Sequence, residues 1–261
     1  MDSKTITAAQ LRERIRNGEW QTPTSGAAYG YVQANLVMLP KTDGFNFLLF
    51  CIRNTKPCPI LDVLEAGVFE PKIAPGADLR RDLPLYRIYR DGIMEKEVTT
   101  VTSEFNEEMV SFLLGCSFSF ENALQAAGVP VRNIDEGKNV SMYITNRSCV
   151  PAGPFTAPLV VSMRPMTPEK AVRAVQITTR FHLTHGAPVH IGDPDQIGIK
   201  DLQHPEFGDP VTIRPGEVPV FWACGVTSAL AATSTPLPLV ITHSPGHMFV
   251  SDLKDEDMTI F

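Results

Sequence analysis

The fold turns on residues 158–194, PLVVSMRPMTPEKAVRAVQITTRFHLTHGAPVHIGDP. PLVVSMRP reads as a strand. Thr167 then stands where a helix N-cap is needed, with Pro168 at the first helical position, where a missing N–H costs nothing. The helix continues through EKAVRAVQITTRF until HGAP breaks it, and VHIGDP returns as a second strand, which completes a β-α-β unit.

Downstream the same logic recurs. EVPVFWACGVTSALAATSTPLPLVITH gives a strand over 217–223, a tight Cys224-Gly225 turn, a helix of small residues and a further strand ending at His243. Upstream, SEFNEEMVSFLLG and FENALQAAG predict two helices that stop at Gly115 and Gly128. PLYRIYRDGIMEKEVTTV predicts a hairpin about Asp91-Gly92. FNFLLFCI, residues 45–52, is an apolar run of strand length and predicts a buried strand. Thr7 followed by Gln10 fits a capping box that opens a first helix ending near Gly18.

These elements predict an α/β fold, a two-lobed, layered α/β sandwich. Residues 1–144 and 215–261 form the larger lobe, and residues 145–214 a smaller inserted β-α-β type domain; a single continuous domain is the competing reading.

Composition narrows the function. With 261 residues, 43% hydrophobic, the chain can bury a sizeable core, and a net charge of -6 without any basic run offers nothing to nucleic acid or to an anionic membrane. No apolar stretch is long enough for a secretory signal or a membrane span, so a cytoplasmic location is expected. Five scattered cysteines are read as reduced thiols. The small-residue loops neither require nor exclude a homo-oligomer.

All six histidines lie beyond residue 181. His185, His190 and Asp193 share HGAPVHIGDP. Two imidazoles and a carboxylate suit zinc or non-haem iron, but their spacing matches no short metal motif, so no metal or other cofactor is expected. His243 and His247 flank the Pro-Gly turn of THSPGHM at a strand end and can face one crevice. Cys224-Gly225 opens a helix whose amides favour an anion, and Cys116 begins another in GCSFSFE. Arg164 at a strand end can hold a carboxylate with both prongs of its guanidinium.

Ten runs carry a resemblance: PTSGAAYGYVQANL, FCIRNTKPCP, DLRRDLPLYRIYRDG, GCSFSFE, MYITN, VVSMRP, HGAPVHIGDP, FGDPV, EVPVFWACGVT and THSPGHM. In this order they resemble the bacterial hydro-lyase family related to the D-glutamate cyclases. Where the family pattern has proline this chain has His182, and where it has alanine, Ser25 and Ser244. The resemblance implies a two-lobed α/β fold and reversible dehydration of a small amino or carboxylic acid, D-glutamate closing to 5-oxo-D-proline.

Cyclisation needs a base, an acid, an anchor for the α-carboxylate and a receiver for the oxyanion. One of His185 and His190 is expected to be the base and one of His243 and His247 the acid, with Asp193 orienting an imidazole. Arg164 and Asn146 are expected to hold the substrate, and the amides about Cys224 and Gly225 to receive the oxyanion. Two other readings stay open: a non-catalytic binding protein for a small carboxylate, and a cysteine-dependent enzyme using Cys224 or Cys116.

Overall fold

Strand β1, Tyr31–Pro40, buries eight of its ten residues, so it must be covered on both faces and paired on both edges. One edge carries β5 (Met109–Gly115) along its length. The other carries β10 (Val240–His243) and β11 (Phe249–Lys254). Beyond β5 lies β2 (Ile60–Leu64); beyond β10 lies the hairpin of β3 (Tyr86–Arg90) and β4 (Ile93–Val98). This is a computed structural model, and it describes residues 5–259.

A second sheet has the order β6-β7-β9-β8, from β6 (Ser141–Ser148), β7 (Pro158–Met166), β9 (Val218–Ala223) and β8 (His190–Ile191). Both β7 and β8 are antiparallel to β9 and therefore parallel to each other. The β-α-β unit is thus present with β9 inserted between its strands. Its helix α5 (Pro168–Thr178) is capped by the Thr167 side chain, as the sequence predicts. Ile197, Ile199 and Val211, from the long segment after β8, join the core of this sheet with Tyr143, Val161 and Phe221. The fold is α/β, built on two antiparallel sheets.

The first helix, α1 (Ala8–Arg16), has the expected Thr7 and Gln10 capping box. Two other elements differ from the sequence reading. Residues 45–52 are not a strand but lie in helix α2 (Lys41–Arg53). Phe47, Phe50 and Cys51 face the core while Phe45 and Ile52 stay 73% and 57% exposed, so the helix is apolar on both sides and shows no helical period. Residues 109–115 are not helical but form β5, a strand held between β1 and β2, whose burial on both faces removes the alternation that marks a strand. Helix α3 (Phe118–Ala126) follows it directly. The late strand-helix-strand also holds, with one change: β9 belongs to the second sheet and β10 to the first, so the intervening helix α6 (Val226–Thr233) joins the two sheets. Among the described residues no helix is long and apolar enough to cross a membrane.

Candidate functional site

The two sheets meet where β5 runs into α3 and β9 into α6. The first junction reads Gly115-Cys116-Ser117, the second Ala223-Cys224-Gly225, and Cys116 and Cys224 share one buried cluster. Asn35 of β1 ties the junctions together. Its Nδ2 donates to the carbonyls of Leu114 (3.2 Å) and Gly115 (2.9 Å). Gly225 is glycine because any Cβ there would strike the Asn35 amide. Gly115 is glycine because a Cβ would strike the carbonyl of Leu183, and this close approach seats the loop that carries His185.

His185 is 1% exposed and adopts a left-handed backbone, φ 84°, which a non-glycine residue takes only when its surroundings hold it there. Its Nδ1 lies 2.8 Å from the carbonyl of Lys56. A carbonyl only accepts, so Nδ1 carries the hydrogen and Nε2 keeps its lone pair. That Nε2 is buried and has no partner among the described residues. Burial, with some repulsion from Arg164 and Lys56, pushes the imidazole pKa down to about 4. His185 is therefore neutral at pH 7.

The ring forms part of the wall of a cavity of about 560 Å³, shared with Cys51, Lys56, Cys58, Thr179 and His182. Among the described residues no Asp or Glu lines it. Lys56 stands exposed on its rim without a hydrogen-bond or ion-pair partner among the described residues, and partial desolvation lowers its pKa. Lys56 was not among the residues singled out in the sequence. Its signal is only that it sits in CIRNTKPCP, 129 positions before the histidine it meets.

Arg164 is fully buried beside this region, but it is not free to anchor a substrate. Its Nη2 lies 2.5 Å from Glu121 and 3.1 Å from Ser117 Oγ, its Nε 3.2 Å from Glu121, and its Nη1 3.1 Å from Ser162 Oγ. The expected carboxylate fork is thus occupied by the protein's own carboxylate, whose other oxygen accepts from Ser25 at 2.9 Å.

The cysteine junction also differs from expectation. The Cys224 amide donates to the Val160 carbonyl at 2.9 Å, so it cannot receive an oxyanion. Burial pushes the Cys224 thiol up to about 11 and the Cys116 thiol higher still, although each sulfur accepts from the amide two residues on. Such thiols are poor nucleophiles at neutral pH.

His243 is 2% exposed with its Nδ1 against the Leu36 peptide, and it lines a different cavity from His185. His247 places Nδ1 3.1 Å from the Pro245 carbonyl, and burial lowers its pKa. His190 and Asp193 form a local turn at the edge of the second sheet: His190 Nε2 meets the Asp193 main-chain oxygen at 2.6 Å. The Asp193 carboxylate accepts instead from the Asp195 amide and orients no imidazole. Asn146 is exposed on β6, close against Gly198. Of the expected set, His185, Arg164, Cys224 and Gly225 converge on the junction of the sheets, while His190, Asp193 and Asn146 lie away from it. Among the described residues no group of three or more His, Cys, Asp or Glu side chains could hold a metal ion.

Known proteins similar to this chain point one way. The pattern of the D-glutamate cyclase family matches residues 110–252. A protein of Syntrophobacter fumaroxidans named "Putative hydro-lyase" is 60% identical over 249 residues, covering 95% of each chain. A hydro-lyase by name from Geobacillus kaustophilus is 57% identical over 256 residues, with 98% of this chain and 97% of that one covered. The Bacillus subtilis protein YcsI, named likewise, is 56% identical over 251 residues, 96% and 98% of the two chains. On this evidence the chain belongs to the D-glutamate cyclase family.

Proposed function

We propose that the chain is a lyase that reversibly dehydrates a small amino or carboxylic acid, D-glutamate to 5-oxo-D-proline, in the His185 cavity. The observation that carries this reading is a wall that offers a neutral imidazole with a fixed tautomer and, among the described residues, an unpaired lysine and no carboxylate. The Lys56 ammonium attracts the substrate's carboxylate. A bound anion also raises the His185 pKa toward neutrality, where it serves best as a base.

The reaction needs two protons moved from nitrogen to oxygen. His185 Nε2 takes the first from the α-ammonium, and the freed amine attacks the γ-carboxyl carbon. The carbon–nitrogen bond forms as a tetrahedral oxyanion develops; the nitrogen then sheds its second proton, and one oxygen leaves as water carrying both. One imidazole can relay each proton in turn, so no second histidine is required.

An NMR time course with D-glutamate, L-glutamate and 5-oxo-D-proline tests this. Interconversion confined to the D-forms is expected. No turnover of any of the three by folded protein, or turnover undiminished in His185→Asn, would refute the assignment.

A further inference from the structure

A second cavity, of about 180 Å³, lies between one face of α6 and the strands β3 and β10, and it shares no wall residue with the His185 cavity. Phe207, Val226, Ala229 and Leu230 make it mostly apolar, with Arg87 and His243 as its anion-binding groups. Of the hydroxyls in its wall, Thr242 donates to the His243 carbonyl and Thr233 to that of Leu230, while the Tyr89 hydroxyl has no hydrogen-bond partner among the described residues.

His243 is the informative member. Its Nδ1 lies 3.2 Å from the Leu36 amide nitrogen and 3.3 Å from the Leu36 oxygen, so it can accept from the first or donate to the second. In either tautomer the buried Nε2 has no partner among the described residues. When the Leu36 amide donates to Nδ1, the hydrogen sits on Nε2 and is left to be accepted. Arg87 is half-committed in the same way. Its Nε donates to Glu97 at 2.8 Å, which also accepts from Ser244, and its Nη groups make no further hydrogen bond among the described residues.

We propose that this cavity is a separate ligand site for a small carboxylate with a short apolar chain. The carboxylate receives hydrogen bonds from the Nη groups of Arg87 and from His243 Nε2, and the chain lies along Val226, Ala229 and Leu230. The volume admits only a small ligand, and among the described residues its wall holds no Asp or Glu to pair with a substrate ammonium group while Arg87 repels one. That separates its ligand from an amino acid and makes the site independent of the His185 reaction.

Butyrate is a suitable probe, titrated into the full chain labelled with ¹⁵N at histidine. Butyrate is expected to shift the His243 ring resonances, with a concentration dependence that Lys56→Gln, which removes the cation of the other cavity, leaves unchanged; butylamine is expected not to shift them. Ala229→Leu, which fills the cavity from α6, and Arg87→Gln, which removes the charge, are each expected to weaken butyrate binding about tenfold or more. The proposal is overturned if butyrate leaves His243 unmoved, or if both variants bind butyrate as the parent does. Turnover of D-glutamate does not enter this readout, so the two assignments fail separately.

Discussion

The main-chain carbonyl of Lys56 lies 2.8 Å from Nδ1 of His185, and that one contact joins the residue that bears the cavity's cation to the imidazole proposed as its base. It fixes the tautomer of the imidazole and holds the ring against the α2 to β2 connection. Hydrogen bonds of this kind orient a catalytic imidazole more often through a carboxylate; here a backbone carbonyl orients the ring without adding charge to the cavity.

His185→Asn is the sharpest variant. Asparagine tolerates the left-handed backbone that His185 occupies, and its amide can donate to the Lys56 carbonyl in place of Nδ1. The fold should therefore persist while the base is lost. Turnover is expected to drop by about 10² to 10⁴, measured by NMR, with the urea midpoint little changed. An unchanged rate would remove His185 from the chemistry.

Stability should depend on pH through three buried groups. Folded His185 and His243 stay neutral down to about 4, whereas unfolded they take up protons as pH falls through about 6.5. The unfolded chain binds more protons in that window, so stability falls as pH drops from about 6.5 toward 4, by at most on the order of 3 kcal/mol for each imidazole. Asp255 works in the opposite sense. Burial pushes its pKa up to about 7 from 3.8, so its contribution is present at low pH and is lost as pH rises through about 7. Urea unfolding of His185→Asn should show a shallower loss between about pH 6.5 and 4 than the parent. Asp255→Asn should gain ~1–3 kcal/mol at about pH 8 and little at about pH 5. Parallel curves for parent and variants would contradict the burial argument.

Much of this arrangement was legible in the sequence, and the exceptions share a cause. Capped elements such as α1 and α5, and the Asp91-Gly92 hairpin, carry their own punctuation. By contrast residues 45–52 of α2 and the strand β5 are nearly unbroken apolar runs, one because apolar side chains also stand on its uncovered outer face and the other because both faces are covered, so neither run declares its period. At the site, His185 stood out as a titratable residue in a loop. Lys56 did not, because its meeting with His185 depends on how β2 and β5 bring distant segments together. The same limit explains Arg164: a strand-end arginine looks free until the Glu121 of a separate helix is placed against it.

That ion pair makes its own prediction. Arg164 and Glu121 are both essentially unexposed, and desolvation raises the Glu121 pKa despite the guanidinium beside it. Arg164→Met removes the pairing charge and leaves a buried carboxylate, at an expected cost of ~3–5 kcal/mol. Combining it with Glu121→Leu should recover a large part of that loss, because neither charge then remains buried. The double-mutant cycle in urea checks this. Additive losses would mean that the two residues act independently.

Gly115→Ala tests whether the junction of the sheets controls the geometry of the cavity. A Cβ at this position would strike the Leu183 carbonyl, with the Thr184 Cα next at 3.2 Å, so the loop bearing His185 must move outward. Nothing in the cavity wall is itself replaced, since Gly115 does not line it. The loop's displacement strains or breaks the Lys56 to His185 hydrogen bond and shifts Nε2 relative to a substrate held at Lys56. Catalysis depends on positioning within a fraction of an ångström, so kcat should fall by about tenfold or more while KM changes little. A matching shift in the His185 Nδ1 resonance should accompany the loss. Gly225→Ala, which presses on Asn35 at the other junction, should instead cost stability first, because it disturbs the bonds from Asn35 to Leu114 and Gly115. If Gly115→Ala leaves both kcat and the His185 resonance unchanged, the loop's seat on β5 does not set the position of the base.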